Sequence, residues 1–163
     1  MAGINIDMMT LVDDPKVFSD IFNECLFHGE LKVKSEELVG YESCDPMSKL
    51  LLKTAVIKTD KKGIYCIWGA GEQLTAEDMS ITRMLLCDAL LMNMQAEEIM
   101  GTDEKLLPVF SVFIGWEKKQ KDLKNISDLF YEHPKVLHGV SYSSHIIYGH
   151  DIIEKYAVKS YYV

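Results

Sequence analysis

A single mixed α/β domain is what this sequence predicts, on three observations. A β-branched stretch, Leu50 to Lys58, and an apolar run, Ile64 to Trp68, flank the turn sequence Asp60-Lys61-Lys62-Gly63, which is the pattern of a β-hairpin. Apolar residues recur at helical spacing before and after that hairpin: Val17, Phe18, Ile21, Phe22 and Cys25, then Met79, Leu85, Leu86, Leu90, Leu91 and Met94. Further on, Leu106 to Ile114 is almost continuously apolar, as suits a central strand covered on both faces. The order helix, hairpin, long helix, strand, short helix, strand implies one domain with a mixed central sheet and flanking helices. A chain of 163 residues can bury one substantial core and is short for two, so the domain is expected over 1–163, with a flexible lead-in of 10–13 residues.

The elements follow from local chemistry. Asp14 can cap the free amides of a first helix and Pro15 is tolerated at its first position, with Gly29 just past its end. Glu30 to Ser48 is polar, contains Pro46 and reads as an irregular connection. Thr75-Ala76-Glu77-Asp78 resembles a capping box with Asp in place of Glu, and Gly101 would end the helix it opens. Its methionines read as core filler before a peptide groove. Pro108 should stand at the first residue of the following strand or on its unpaired side. Asn125 to Tyr131 suits a short helix, His145 to Tyr148 a last strand, and Asp151 to Lys159 a terminal helix.

Composition narrows the function. Seventeen basic against 25 acidic side chains give a net charge of −8, a poor match to a surface that tracks phosphates. Arg83 is the one arginine, which argues against base reading as well. Lys118, Lys119, Lys121 and Lys124 read as a solvated charged loop, with a nucleic-acid contact as the alternative. Cysteines 25, 44, 66 and 87 are spaced too widely for a zinc knuckle, and Cys25, Cys66 and Cys87 read as small core residues. The histidines form no recognisable ligand set, so no metal centre is expected from them. Neither a long apolar span nor a secretory start is present, which points to a cytoplasmic protein with no membrane role.

Residues 69–73, Gly-Ala-Gly-Glu-Gln, end the second hairpin strand just before the helix beginning near Thr75. Together with Phe18-Ser19-Asp20-Ile21-Phe22-Asn23, Phe27-His28-Gly29, Tyr65-Cys66-Ile67-Trp68-Gly69, Arg83-Met84-Leu85-Leu86-Cys87-Asp88-Ala89-Leu90, Leu106-Leu107-Pro108-Val109, Trp116 and Ile126-Ser127-Asp128-Leu129, this stretch resembles a known family. That family is the recombination-promoting nuclease and transposase-like group of the PD-(D/E)XK nuclease superfamily. The resemblance covers residues 14 to 153, and its specificity lies in the shared order and spacing of the motifs.

The resemblance implies a PD-(D/E)XK nuclease-like fold. It also implies a site in which hairpin carboxylates hold a divalent cation that activates water beside the scissile phosphate. Carried across residue by residue, Asp20 and Gln73 match, but Gly71 stands where the family has glutamate and Thr54 where it has aspartate. A glycine offers no ligand and a threonine hydroxyl is a weak, neutral one. The expected catalytic and metal residues are therefore none, and the chain reads as a degenerate, non-catalytic nuclease. Its expected role is to bind, and inhibit or regulate, a protein partner such as a nuclease or another bacterial or phage defence component. A homodimer stays open, as does a bacterial or phage origin. The alternative is an active Mg²⁺-dependent DNA endonuclease that uses Asp20, Glu72 and Gln73. In a regular strand Glu72 would point to the wrong face, unless Gly69 and Gly71 make a bulge, and Asp60 stands too far off in the turn.

Overall fold

A computed structural model describes residues 7–41, 55–69, 81–115 and 145–157, apart from the side chains of Arg83 and Ala157. Its strands form one five-stranded sheet in the order β1-β2-β3-β4-β5: Val39–Gly40, Ala55–Thr59, Ile64–Trp68, Val109–Gly115 and His145–Tyr148. The first three strands run antiparallel, and β4 and β5 continue the sheet in parallel with β3. A parallel β3–β4 pair requires a crossover, and the helix α3, Ile81–Glu98, lies within it. The mixed α/β class and the hairpin are therefore as the sequence predicts.

The N-terminal region departs from expectation. Sequence reading starts the first helix at Asp14, but a helix α1, Met8–Asp13, precedes it. Asp7 caps α1 by accepting from the Met9 amide at 3.1 Å and the Thr10 hydroxyl at 2.6 Å, and Met8 and Val12 enter the core. The next helix, α2 (Pro15–Cys25), starts as predicted, with Asp14 Oδ1 accepting from the amides of Lys16 at 2.8 Å and Val17 at 3.3 Å. At its far end Gly29, at φ +85°, donates its amide to the Asn23 carbonyl at 2.8 Å. The segment after Gly29 is less irregular than expected, since Ser35–Glu37 is a 3₁₀ turn and Val39–Gly40 is the edge strand β1. Asn23 holds this return: its side chain donates to the Val33 carbonyl at 2.8 Å and accepts from the amides of Lys32 at 3.0 Å and Val33 at 2.8 Å.

Alternation along the strands sorts the core into two faces. Tyr65 and Ile67 of β3, Val56 of β2, and Val112 and Ile114 of β4 pack with Phe18, Ile21 and Phe22 of α2. On the other face, Cys66, Trp68 and Phe113 pack with Met84 and Cys87 of α3. Both faces of β3 and of the later part of β4 are buried, as the continuous apolar runs predict. Pro108 stands one residue before β4, and its carbonyl accepts from Ile64 at 2.9 Å. Gly101, at φ +81°, follows the end of α3 as expected.

The final helix begins two residues earlier than predicted: α4 covers Gly149–Ile152 and continues as a π-helical turn over Ile153–Ala157. The expected helix at 125–131, the Lys118–Lys124 cluster and Cys44 lie outside the described residues. Among the described residues, no helix is long and apolar enough to cross a membrane.

Candidate functional site

The resemblance sets its two strand acids on the β2–β3 hairpin. Ala55 pairs with Trp68 and Thr59 with Ile64, so the chain enters β2 and leaves β3 at the same end, opposite the Asp60–Gly63 turn. Thr54 directly precedes that entry, and Gly71 follows the exit by three residues. Thr54, Gly71, Glu72 and Gln73 themselves lie outside the described residues. Asp20 is described: it is exposed on α2, one residue before the buried Ile21.

Gly69 has φ +80°, and a Cβ there would meet Phe113 Cε2 at 2.9 Å and the Ile114 carbonyl oxygen at 3.0 Å. Regular β geometry stops at this glycine, because a positive φ lies outside the extended region. The alternation of β3 therefore does not carry past Gly69, and the face taken by Glu72 does not follow from that of Trp68.

Asp60 is committed elsewhere. It is buried in the turn, where Oδ1 accepts from the amides of Lys62 at 2.7 Å and Gly63 at 3.0 Å. The Tyr65 hydroxyl donates to the same carboxylate at 3.3 Å. Its partners give Asp60 a turn-closing role at the end of the hairpin away from positions 54 and 71. Among the described residues, no group of three or more His, Cys, Asp or Glu could hold a metal ion.

A second polar constellation sits beneath α3. Asp88 is buried at 5% exposure and accepts from the Ser111 hydroxyl of β4 at 2.5 Å. The Ser111 oxygen in turn accepts from Trp68 Nε1 of β3 at 3.2 Å. The side-chain chain Trp68–Ser111–Asp88 thus joins the last residue of β3 to the crossover helix. Cys66 and Cys87 are buried in the same layer. Burial, then the charges of Asp88 and Cys87, push the Cys66 thiol well above its usual 9.0, so it is a protonated core group with no nucleophilic character at neutral pH. Sequence reading does not reveal this network, whose members lie far apart along the chain. The usable signal was Ser111, a lone hydroxyl in an apolar run that calls for a buried partner.

Titration behaviour follows from these surroundings. Burial, and then the Asp60 charge, raise the Tyr65 phenol far above its usual 10.0. Raised folded-state values for Tyr65 and Cys66 mean that the unfolded chain releases those protons first as pH rises. Their stabilisation is complete below about pH 9 and fades as pH climbs past their unfolded values of 9.0 and 10.0. Urea midpoints measured from pH 7 to 11 should fall above that boundary, and Tyr65→Phe should make the fall shallower above pH 10.

Comparison with family models, with curated proteins and with solved structures gives no match.

Proposed function

We propose that this protein is a non-catalytic relative of the PD-(D/E)XK nucleases that binds a protein partner and inhibits or regulates it. The observation that carries the reading is in the sequence beside the hairpin. Thr54 stands one residue before β2 and Gly71 three residues after β3, at the two positions where the resemblance calls for carboxylates. A mixed sheet built around a hairpin, with helices on both faces, agrees with the scaffold that the resemblance implies. A site with neither acid lacks the charge to hold Mg²⁺ beside a phosphate. The net charge of −8 suits a partner with a basic channel, such as a nuclease of a bacterial or phage defence system, met in a cytoplasm.

Purification of the tagged chain from a bacterial host at moderate salt should recover a partner in defined stoichiometry. Recovery of the monomer alone, over repeated preparations in hosts with and without defence systems, contradicts the reading.

One observation favours the alternative of an active Mg²⁺-dependent endonuclease. The positive φ of Gly69 breaks the strand before Glu72, which removes the simplest geometric objection to Glu72 acting with Asp20 and Gln73.

A further inference from the structure

Helix α3 departs from the usual pattern of a helix laid on a sheet. One face is buried through Met84, Cys87 and Leu91. On the opposite face Thr82, Leu86, Ala89, Asn93 and Ala96 are exposed, and Met100, in the turn just past the helix, continues the row. Leu86 is 51% exposed and Met100 77%. A helix that packs by one side normally carries charge on the other. This row carries none over a length of about 27 Å, in a chain rich in charged side chains.

Its spacing and its order of sizes both point to a second copy. The six positions recur alternately four and three apart, the repeat by which two helices meet along a seam. In an antiparallel pair of α3 helices centred level with Leu91, Leu86 of one copy lies against Ala96 of the other, Asn93 against Ala89, and Met100 against Thr82. Each larger side chain meets a smaller one, and each contact occurs twice, as a two-fold interface requires. Asn93 already donates to Glu97 Oε1 at 3.0 Å, so its amide would enter the seam with a partner.

Charge selects the same arrangement. Two chains of net charge −8 repel, and they approach best along a surface without charge. A parallel pair would set the exposed Glu97 and Glu98 of both copies side by side. The antiparallel pair holds the two Glu97 positions about 18 Å apart along the axis, beyond the screening length of about 8 Å. A basic partner, which the net charge would attract, finds no carboxylate on this row.

We propose that the chain self-associates through the outer face of α3, as a two-fold, antiparallel helix pair. One helical seam is small for an interface, so the dimer is weak, with a Kd on the order of 10–100 µM. The proposal does not rest on the reading of the chain as an inhibitor, and either can fail without the other.

Sedimentation equilibrium of the intact, reduced chain from about 5 to about 500 µM tests it. A monomer–dimer equilibrium is expected, and added salt should strengthen it by screening the net charge. Ala89→Glu, at an exposed helix position, brings two carboxylates together near the axis and should raise Kd about tenfold or more. Leu31→Glu, at an exposed apolar residue away from α3, should leave Kd unchanged. Leu86→Lys and Ala96→Glu should each weaken the dimer, and the double variant should recover it, because only the antiparallel pair sets position 86 against position 96. Circular dichroism and urea midpoints close to wild type show that each variant is folded. A monomer throughout the concentration range overturns the proposal, as the row is then covered by another part of the chain or by a different partner. An unchanged Kd in Ala89→Glu, or no recovery in the double variant, overturns it equally.

Discussion

Phe22→Ala should lower the unfolding free energy by about 3–5 kcal/mol, among the largest losses expected from a single side chain here. Phe22 is fully buried, with its ring centre 5.1 Å from that of Phe18 and 5.3 Å from Tyr65, the latter edge-on. The contacts continue from Tyr65 to Phe110 at 5.4 Å, nearly parallel, and from Phe110 to Phe27 at 5.7 Å. Phe22 therefore couples α2 to β3, and through Tyr65 to β4. Its removal leaves a cavity walled on one side by sheet, which collapses poorly because the strands are held by their ladder hydrogen bonds. Urea denaturation should show a lower midpoint at an unchanged slope. Phe27→Ala, at the partly buried end of the row, should cost distinctly less.

Asn23→Ala comes next, with an expected loss of roughly 3–5 kcal/mol through a different mechanism. The Asn23 side chain makes three hydrogen bonds to Lys32 and Val33, and Val33 is only 2% exposed. Truncation leaves the amide and carbonyl of Val33 without their partners, at about 1–3 kcal/mol for each buried unsatisfied group. The loss should be local before it is global. Amide exchange at Lys32 and Val33 should accelerate beyond what the change in overall stability explains. Asn23→Asp keeps the two accepted bonds but sets a buried carboxylate oxygen against the Val33 carbonyl, acceptor to acceptor, so it should also destabilise at neutral pH and recover in acid, where the protonated carboxyl can donate.

The contrast between these residues explains how much of the molecule could be read from its sequence. The hairpin was legible because its determinants are local: β-branched residues, an Asp-Lys-Lys-Gly turn and two strands that pair in simple register. The β4 strand was legible because burial on both faces leaves an unbroken apolar run. The β1 strand left no such trace, since two exposed residues at a sheet edge carry no alternation. Helix α1 was missed because only six residues form it and its apolar signal is the pair Met8 and Val12. The role of Asn23 is not legible locally, because its partner groups on Lys32 and Val33 lie nine and ten positions away.

The candidate site divides in the same manner. Asp60 lies in the turn that the sequence predicts, because an Asp three residues before Gly can accept from the amides that follow it, here those of Lys62 and Gly63. The Trp68–Ser111–Asp88 chain spans separations of 43 and 23 residues, and no local pattern predicts which buried hydroxyl meets which buried acid. Gly71 and Thr54 carry meaning only through the resemblance, since nothing in local propensity marks a position where an acid is missing.

Divalent-cation binding at the hairpin is the most direct test of the non-catalytic reading. Manganese titration of the full chain, followed by the electron paramagnetic resonance of free Mn²⁺ and paired with a plasmid and single-stranded DNA cleavage assay, measures it. The predicted result is no stoichiometric site in the micromolar range, no cleavage, and identical curves for wild type and Glu72→Ala. One tight Mn²⁺ site, with cleavage that disappears in Glu72→Ala and Asp20→Ala, would contradict it and make the protein an active nuclease.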